Sequence, residues 1–286
     1  MQHYPEATLY VVATPIGNLA DITLRALHVL QLVQAIACED KRHTQPLLRQ
    51  YGIDKPLLAV HQHNEAEAAG GVVERLQRGE RVAYVSDAGT PAVSDPGARL
   101  VAAVRAAGFR VMPLPGASSV TAALSAAGVT RAGGSSESSS SFVFAGFLPS
   151  KPGERDQAIE LLRTDTRATV ILEAPHRIEA LAHALAVLQG RLVTVGRELT
   201  KQFEEIATLP AQDLSAWLDA GPQRTRGEFT LVLHASIARE DHDDCLRVLK
   251  LLLAELPLKT AVRLAAQITD APRNELYDTA LKLKNE

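Results

Sequence analysis

Residues 85–97 read Val-Ser-Asp-Ala-Gly-Thr-Pro-Ala-Val-Ser-Asp-Pro-Gly, a stretch that points to an α/β fold. It follows a short apolar run, Arg81–Val85, that has the length and branched residues of a buried strand. It precedes Ala98–Ala107, where Leu100, Val101 and Val104 recur at helical spacing. Between them lie two glycines, two prolines, two aspartates and the hydroxyls of Ser86, Thr90 and Ser94. That density of turn chemistry predicts a strand-to-helix loop. In open α/β sheets such loops stand at the carboxyl edge, where ligands bind.

The same alternation of strand-like and helix-like segments extends to both sides. Strands are expected at Thr8–Thr14, Ala35–Glu39, Leu57–Val60 and Arg110–Leu114, and helices at Thr23–Leu32, Gln45–Tyr51, Glu65–Arg78 and Val120–Ala127. A βα series of this kind predicts a mainly parallel sheet covered on both faces. A second α/β set follows, with strands at Phe142–Ala145, Ala168–Leu172, Leu192–Gly196 and Glu228–His234 and helices at Glu154–Leu162, Arg177–Leu188 and Ala211–Leu218. Its strands need not all be parallel. Beyond a charged linker, Ala238–Asp244, three short amphipathic helices are expected at Cys245–Leu256, Leu258–Ile268 and Arg273–Lys284, punctuated by Pro257 and Pro272. They fit a packing unit or a helix-turn-helix-like nucleic-acid contact. The expected domains are therefore 1–115, 116–237 and a helical appendage, 238–286. The serine-rich stretch Arg131–Ser141 has nothing to bury and is expected to be a loop.

The bulk properties agree with a globular chain. Of its 286 residues, 46% are hydrophobic and 22% charged, enough to bury a sizeable core. A net charge of −3 argues against holding naked nucleic acid by bulk charge, while leaving room for a local basic face. Cys38 and Cys245 form no zinc-like cluster or redox pair, which predicts a reduced, cytosolic setting. No apolar run is long enough to span a membrane, and Met1–Ala7 is not a signal peptide.

Several expected strand ends carry polar clusters. Thr14-Pro15-Ile16-Gly17-Asn18-Leu19-Ala20-Asp21 follows the first strand; its backbone amides fit an anion, or an ordinary tight turn, and it is neither a dinucleotide fingerprint nor a Walker A loop. Glu39-Asp40-Lys41-Arg42-His43-Thr44 fits a substrate or general-base cluster, or else a helix N-terminus with solvated bases. His61-Gln62-His63-Asn64-Glu65 lacks further ligands at metal spacing and reads as the polar edge of a cleft, so no metal is expected. Glu173-Ala174-Pro175-His176-Arg177, Gly196-Arg197-Glu198-Leu199-Thr200-Lys201 and Arg226-Gly227-Glu228-Phe229-Thr230 sit at strand ends of the second set. Each alone fits a turn or a cap, but strand ends are where α/β cofactor sites collect.

Taken in order, Ala13–Ile22, Glu39–Thr44, His63–Glu65, Ser86–Pro91, Ser94–Gly97, Pro115–Ser119, Gly146–Pro149, Glu173–Arg177, Gly196–Lys201 and Gly227–Thr230 resemble the tetrapyrrole-methylase superfamily of S-adenosylmethionine-dependent methyltransferases. Within it they resemble the branch that methylates the ribose 2′-oxygen of a cytidine in the decoding centre of 16S rRNA. The resemblance implies two α/β domains with S-adenosyl-L-methionine in the cleft between them, a small C-terminal helical segment, a homodimer and a small ribosomal subunit as substrate. It implies a cofactor wall of Pro15, Ile16, Asp87, Gly89, Thr90, Val93, Ser94, Ser118 and Ser119. From the second domain it adds Ala174, Pro175, Arg197, Glu228, Phe229 and Thr230. A ribose hydroxyl is a poor nucleophile, so a base or a cation at the developing alkoxide would help; the candidates are Glu39, Asp40, Lys41 and Lys201. Arg42, His63, Asn64 and Glu65 are the candidates for positioning RNA. Two other readings share these residues: a methyltransferase acting on a tetrapyrrole or other small molecule, and a cofactor-binding module without catalysis.

Overall fold

Continuous apolar runs such as Ala35–Cys38 and Val82–Val85 are buried along their whole length, as central parallel strands must be when helices cover both faces. A computed structural model of the chain describes residues 3–60, 65–129, 141–236, 242–269 and 272–285. The first sheet contains β1 (Thr8–Val12), β2 (Ala35–Cys38), β3 (Leu57–Ala59), β4 (Arg81–Val85) and β5 (Arg110–Leu114), all parallel, in the order β3-β2-β4-β1-β5. Pro113 falls on β5, an edge strand, where a missing amide leaves no central ladder bond unmade. Helices α1 (Leu24–Leu32) and α2 (Lys41–Gln50) pack Ala26, Val29, Leu30 and Leu48 on one face. Helices α3 (Glu65–Gln77) and α4 (Ala98–Ala106) pack Val72, Leu76, Leu100 and Val104 on the other.

The chain then lays α5 (Ser119–Ala127) on a second sheet. That sheet contains β6 (Phe142–Phe147), β7 (Ala168–Glu173), β8 (Leu192–Arg197), β9 (Glu205–Pro210) and β10 (Phe229–Leu233), in the order β6-β7-β10-β8-β9. Only β6 and β7 are parallel; β10 runs antiparallel to β7 and β8, and β9 to β8. Helices α6 (Pro152–Arg163), α7 (Ile178–Leu185) and α8 (Leu214–Asp219) supply Ile159, Leu181, Leu185 and Leu214 to the core on the face opposite α5. On the α5 face, Val170, Leu199 and Val232 meet Ala123, Ala127 and, from the first sheet's β1 loop, Ile16. That cluster joins the two α/β units. Helices α9 (His242–Glu255), α10 (Leu258–Thr269) and α11 (Arg273–Asn285) bury Leu249, Val262, Ala265, Leu276 and Ala280 against one another.

With 3-10 turns counted in their helices, three elements differ from the sequence expectation by three residues or more, one of them α9, which begins at His242 inside the stretch expected to be a linker. Strand β9 is an addition: Glu-Ile-Ala-Thr-Leu-Pro is short, lacks a regular alternation of polar and apolar residues and is closed by proline, and its pairing with β8 at the sheet edge makes it a strand. Helix α2 begins at Lys41 rather than Gln45, because Asp40 caps it by accepting the Arg42 amide at 2.8 Å; Pro46 is carried inside the helix. The serine tract at 130–140 lies outside the described residues.

Gly97 stands at the N-cap position of α4 with φ at +123°, and a Cβ there would stand 2.2 Å from Cε1 of the fully buried Tyr84. Gly97→Ala is therefore expected to cost about 3 kcal/mol, combining backbone strain with overpacking. Urea unfolding measures it, and a loss below about 0.5 kcal/mol would refute the steric account.

Candidate functional site

In the order β3-β2-β4-β1-β5, α1 and α2 leave the carboxyl edge toward one face, and α3 and α4 toward the other. The loops after β1, β2 and β4 therefore part at adjacent strands, which opens a crevice at the switch of direction. The Thr14–Asp21 and Ser86–Gly97 loops form its rim. They are joined by a reciprocal pair of backbone bonds, from the Thr14 amide to the Gly89 carbonyl at 2.9 Å and back at 3.1 Å. Gly89, buried with φ at +78°, admits this approach; a Cβ there would lie 3.2 Å from Cγ2 of Ile16. The Thr90 hydroxyl donates to the Ala117 carbonyl at 3.0 Å, which ties in the loop before α5. The Pro115–Ser119 turn thus joins the same rim, with Ser118 at the N-cap position of α5 and Ser119 opening it.

Four carboxylates gather beside this crevice. Glu39 directly follows β2, and Asp40 caps α2, where the Arg42 guanidinium grips it at 2.7 Å and holds its pKa down to about 2. Asp87 accepts the Asp40 amide at 3.2 Å and approaches Nδ1 of His43 at 2.8 Å. Half-burial pushes the Glu39 carboxyl up, and the charges of Asp87 and Asp95 push it further, against the Asp87 backbone amide that accommodates its ionised form. Burial likewise raises Asp95, opposed by a hydrogen bond from Ser86. The hydrogen bond to Asp87 raises the pKa of His43 above its ordinary 6.5. The pair is strongest when the ring is protonated, at lower pH, and is lost as pH rises through that raised value. An NMR titration should place the His43 midpoint above 6.5, and Asp87→Asn should return it toward 6.5. An unchanged midpoint in that variant would break the assignment.

The facing wall comes from the second sheet. The carboxyl ends of β6, β7 and β8 and the amino ends of β9 and β10 share one edge. There Ala174 is half-buried and Pro175 exposed. Glu173 is fully buried; its Oε1 accepts the Ala174 amide at 2.9 Å and pairs with Nε of Arg177 at 3.0 Å, while Arg177 also donates to the Leu148 carbonyl. The Lys201 ammonium lies 2.8 Å from Oε1 of Glu198 and 3.1 Å from Oε2 of Glu228. Burial opposes its charge, but the two carboxylates outweigh burial and its pKa is raised. Glu198 is the counterpart: burial pushes its carboxyl up, Lys201 and the Glu228 amide outweigh that, and the net shift is down.

Not every predicted residue meets the crevice in the same way. Pro15 is buried beside Ile16, whereas Val93 and Ser94 are exposed on the outer part of their loop. Phe229 packs into the core with α7 and α8, on the face away from α5, and Thr230 is buried beside it in β10. The Arg197 guanidinium is taken up by the Arg226 and Phe203 carbonyls. Lys41 is exposed at the first position of α2. His63 and Asn64 lie outside the described residues, and Glu65 opens α3. His43 and Asp95 lie in stretches the sequence marked but carried no role of their own, and the structure brings both to the carboxylate cluster; His43 is 44 residues from Asp87, and no local pattern announces the contact. Among the described residues, no group of three or more His, Cys, Asp or Glu is placed to hold a metal, and no helix is long and apolar enough to cross a membrane.

Residues 8–215 match the family profile of tetrapyrrole (corrin/porphyrin) methylases, and residues 239–284 match that of the RsmI C-terminal HTH domain. The ribosomal RNA small subunit methyltransferase I of Pseudomonas aeruginosa is 46% identical over 281 residues, covering 96% of this chain and 97% of that protein. The protein of the same name from Escherichia coli O157:H7 is 45% identical, covering 97% and 96%. Among solved structures, the cobalt precorrin-4 methyltransferase CbiF superposes with a TM-score of 0.58 at 18% identity, over 79% of this chain and 94% of that one. The uroporphyrin-III C-methyltransferase of Thermus thermophilus, solved with S-adenosylhomocysteine, gives a TM-score of 0.52 at 15% identity, over 81% and 99%. These two likenesses concern the fold, whereas the matches along the sequence carry membership: the chain belongs to the tetrapyrrole methylase family and, within it, to the ribosomal RNA small subunit methyltransferase I proteins.

Proposed function

We propose that this chain transfers a methyl group from S-adenosyl-L-methionine to the ribose 2′-oxygen of a cytidine in the decoding centre of 16S rRNA, on the assembled small ribosomal subunit. The observation that carries the proposal is the near-full-length likeness to ribosomal RNA small subunit methyltransferase I relatives. The crevice suits the donor: Gly89 lets the two loops close on each other with no side chain between them, and the α5 N-terminus brings backbone amides to the sheet switch point. When bound there, the donor supplies an electrophilic methyl group and a neutral leaving thioether. Pro15, Ile16, Asp87, Gly89, Thr90, Ser118 and Ser119 would hold it from one side, and Ala174, Pro175, Glu228 and Thr230 from the other.

The chain's own work is positioning and proton removal. Glu39, half-buried among carboxylates, is the proposed acceptor of the 2′-hydroxyl proton as the new C–O bond forms. Asp40 is already committed to capping α2 and to Arg42, and so braces the cluster rather than taking a proton. Lys41, Arg42 and Arg49 lie exposed on α2, which carries no acidic residue, and suit RNA phosphates; His63, Asn64 and Glu65 are proposed as further RNA contacts on the family resemblance alone. Recognition of an assembled particle fits the net charge of −3, since bulk attraction to free RNA is weak. The family resemblance supports a homodimer working in the cytoplasm.

The test offers tritiated methyl donor with unmodified small subunits and, separately, with naked 16S rRNA. Label is expected at one cytidine of the subunits and far less in naked RNA. No label in either would overturn the RNA reading.

A further inference from the structure

We propose that Lys201 is a positioning residue: its aliphatic stem, laid across Gly17, clasps the β1 loop to the second sheet and holds the Pro15–Ile16 wall of the donor crevice in place. The inference rests on the donor-site reading above. It concerns what Lys201 does there, and differs from a direct action on the reacting oxygen.

The contact is specific on both sides. A Cβ at residue 17 would lie 2.2 Å from Cγ of Lys201, 3.0 Å from Cε and 3.1 Å from Cδ, so the stem runs along bare backbone that glycine alone provides. The ammonium at its end is fixed by Glu198 and Glu228 at 2.8 and 3.1 Å. Glu198 is itself fixed, because its Oε1 also accepts the Glu228 amide at 2.9 Å. It presses so closely on Gly227 that a Cβ there would stand 2.4 Å from Cγ of Glu198. A lysine used in this way buries its stem and leaves its charge at the partly wet rim. With two carboxylates beside it, that charge is spent within the turn.

The turn bearing Lys201 is held in an unusual backbone. Glu198 and Thr200 both adopt left-handed φ values, +51° and +67°, which non-glycine residues keep only when surrounding contacts impose them. Between them Leu199 is buried in the cluster that includes Ile16 and Val120. Ile16 in turn lies against Gly89, whose backbone is bonded to Thr14. The contacts therefore run without a break from the Glu198–Lys201 turn through Gly17 and Ile16 to the Ser86–Gly97 loop. Releasing the stem frees the middle of that chain, and the predicted consequence is a looser donor wall.

The experiment uses the full chain and four variants: Lys201→Ala, Lys201→Met, Gly17→Ala and the double Lys201→Ala/Gly17→Ala. In Lys201→Ala the dissociation constant for S-adenosylmethionine, by calorimetry, should rise about 10-fold, while kcat at saturating donor falls less than about threefold. Lys201→Met keeps most of the stem and should lie within about threefold of the parent in both. Gly17→Ala should weaken donor binding about as much as Lys201→Ala, and the double variant should be no worse than the poorer single, because both break one contact. Without any donor, amide exchange over residues 14–21 should quicken in Lys201→Ala, while α7 keeps its protection. A roughly 100-fold fall in kcat for both Lys201 variants, with donor affinity intact, would overturn the proposal in favour of a charge acting on the reacting atoms. Unchanged exchange over 14–21 would overturn it equally. If the parent protein binds no S-adenosylmethionine, the donor reading fails, and the exchange measurement still decides whether the clasp exists.

Discussion

Replacing Glu39 by glutamine is expected to lower kcat for methyl transfer about 10²- to 10³-fold, the usual worth of a positioned general base. Donor binding should stay within about twofold of the parent, because the substitution changes neither size nor the carbonyl oxygen that faces the Asp87 amide. The pH dependence provides a second signature. Glu39 must be ionised to accept a proton, and its pKa lies above the ordinary carboxylate value because it is half-buried and flanked by Asp87 and Asp95. Activity should therefore fall as pH drops through that raised value, and this acid limb should vanish in Glu39→Gln. Asp95→Asn removes one neighbouring charge and should shift the limb to lower pH. If Glu39→Gln keeps full kcat, positioning alone drives the transfer and the base assignment is wrong.

The largest stability effect is expected at Arg177. Glu173 is fully buried, its Oε2 has no hydrogen-bond partner, and Arg177 at 3.0 Å is the cation paired with it. Arg177→Ala leaves that carboxylate buried and unpaired and removes the donor to the Leu148 carbonyl, for an expected loss of about 4 kcal/mol. Arg177→Lys should recover part of this, since an ammonium keeps the charge but not the fork that bridges two acceptors. The sharper comparison is the double variant Glu173→Gln/Arg177→Ala: with no charge left to bury, it should be more stable than Arg177→Ala alone. Chemical denaturation measures all three. A double variant less stable than Arg177→Ala would mean that packing, and not the stranded charge, dominates. Ala174 and Pro175 follow Glu173 directly, so the same substitution should also weaken donor binding.

The site was partly legible before the structure. The loops carrying Asp87, Gly89 and Thr90, and the turn carrying Lys201, stand out by composition, because glycine, proline and short polar residues mark strand ends wherever they fall. Asp40 was legible only as one acid among several; the structure makes it the cap of α2 and explains why the helix begins four residues earlier than its apolar spacing predicts. Strand β9 left too little signal, since three apolar residues at an edge look like a loop until β8 is placed beside them. Phe229, grouped with the crevice by its place at a strand end, turns its ring into the core on the far face, a matter of strand parity within the second sheet.

Apart from β9, the order of elements, the two α/β sets, the helical appendage and the loops that carry polar chemistry can be read from the residues alone. Those are local properties, written in periodicities of two and 3.6 residues and in turn composition. Which loops meet is settled by strand pairing and packing across the whole fold. Asp87 reaches Asp40 and His43 across 47 and 44 residues because β2 and β4 are neighbours in a sheet whose order is not that of the chain. Lys201 reaches Gly17 because Leu199 and Ile16 bury one apolar cluster between the two units. Such contacts depend on how strands pair and which faces are covered, and that is fixed by burial summed over the whole chain rather than by any window of it.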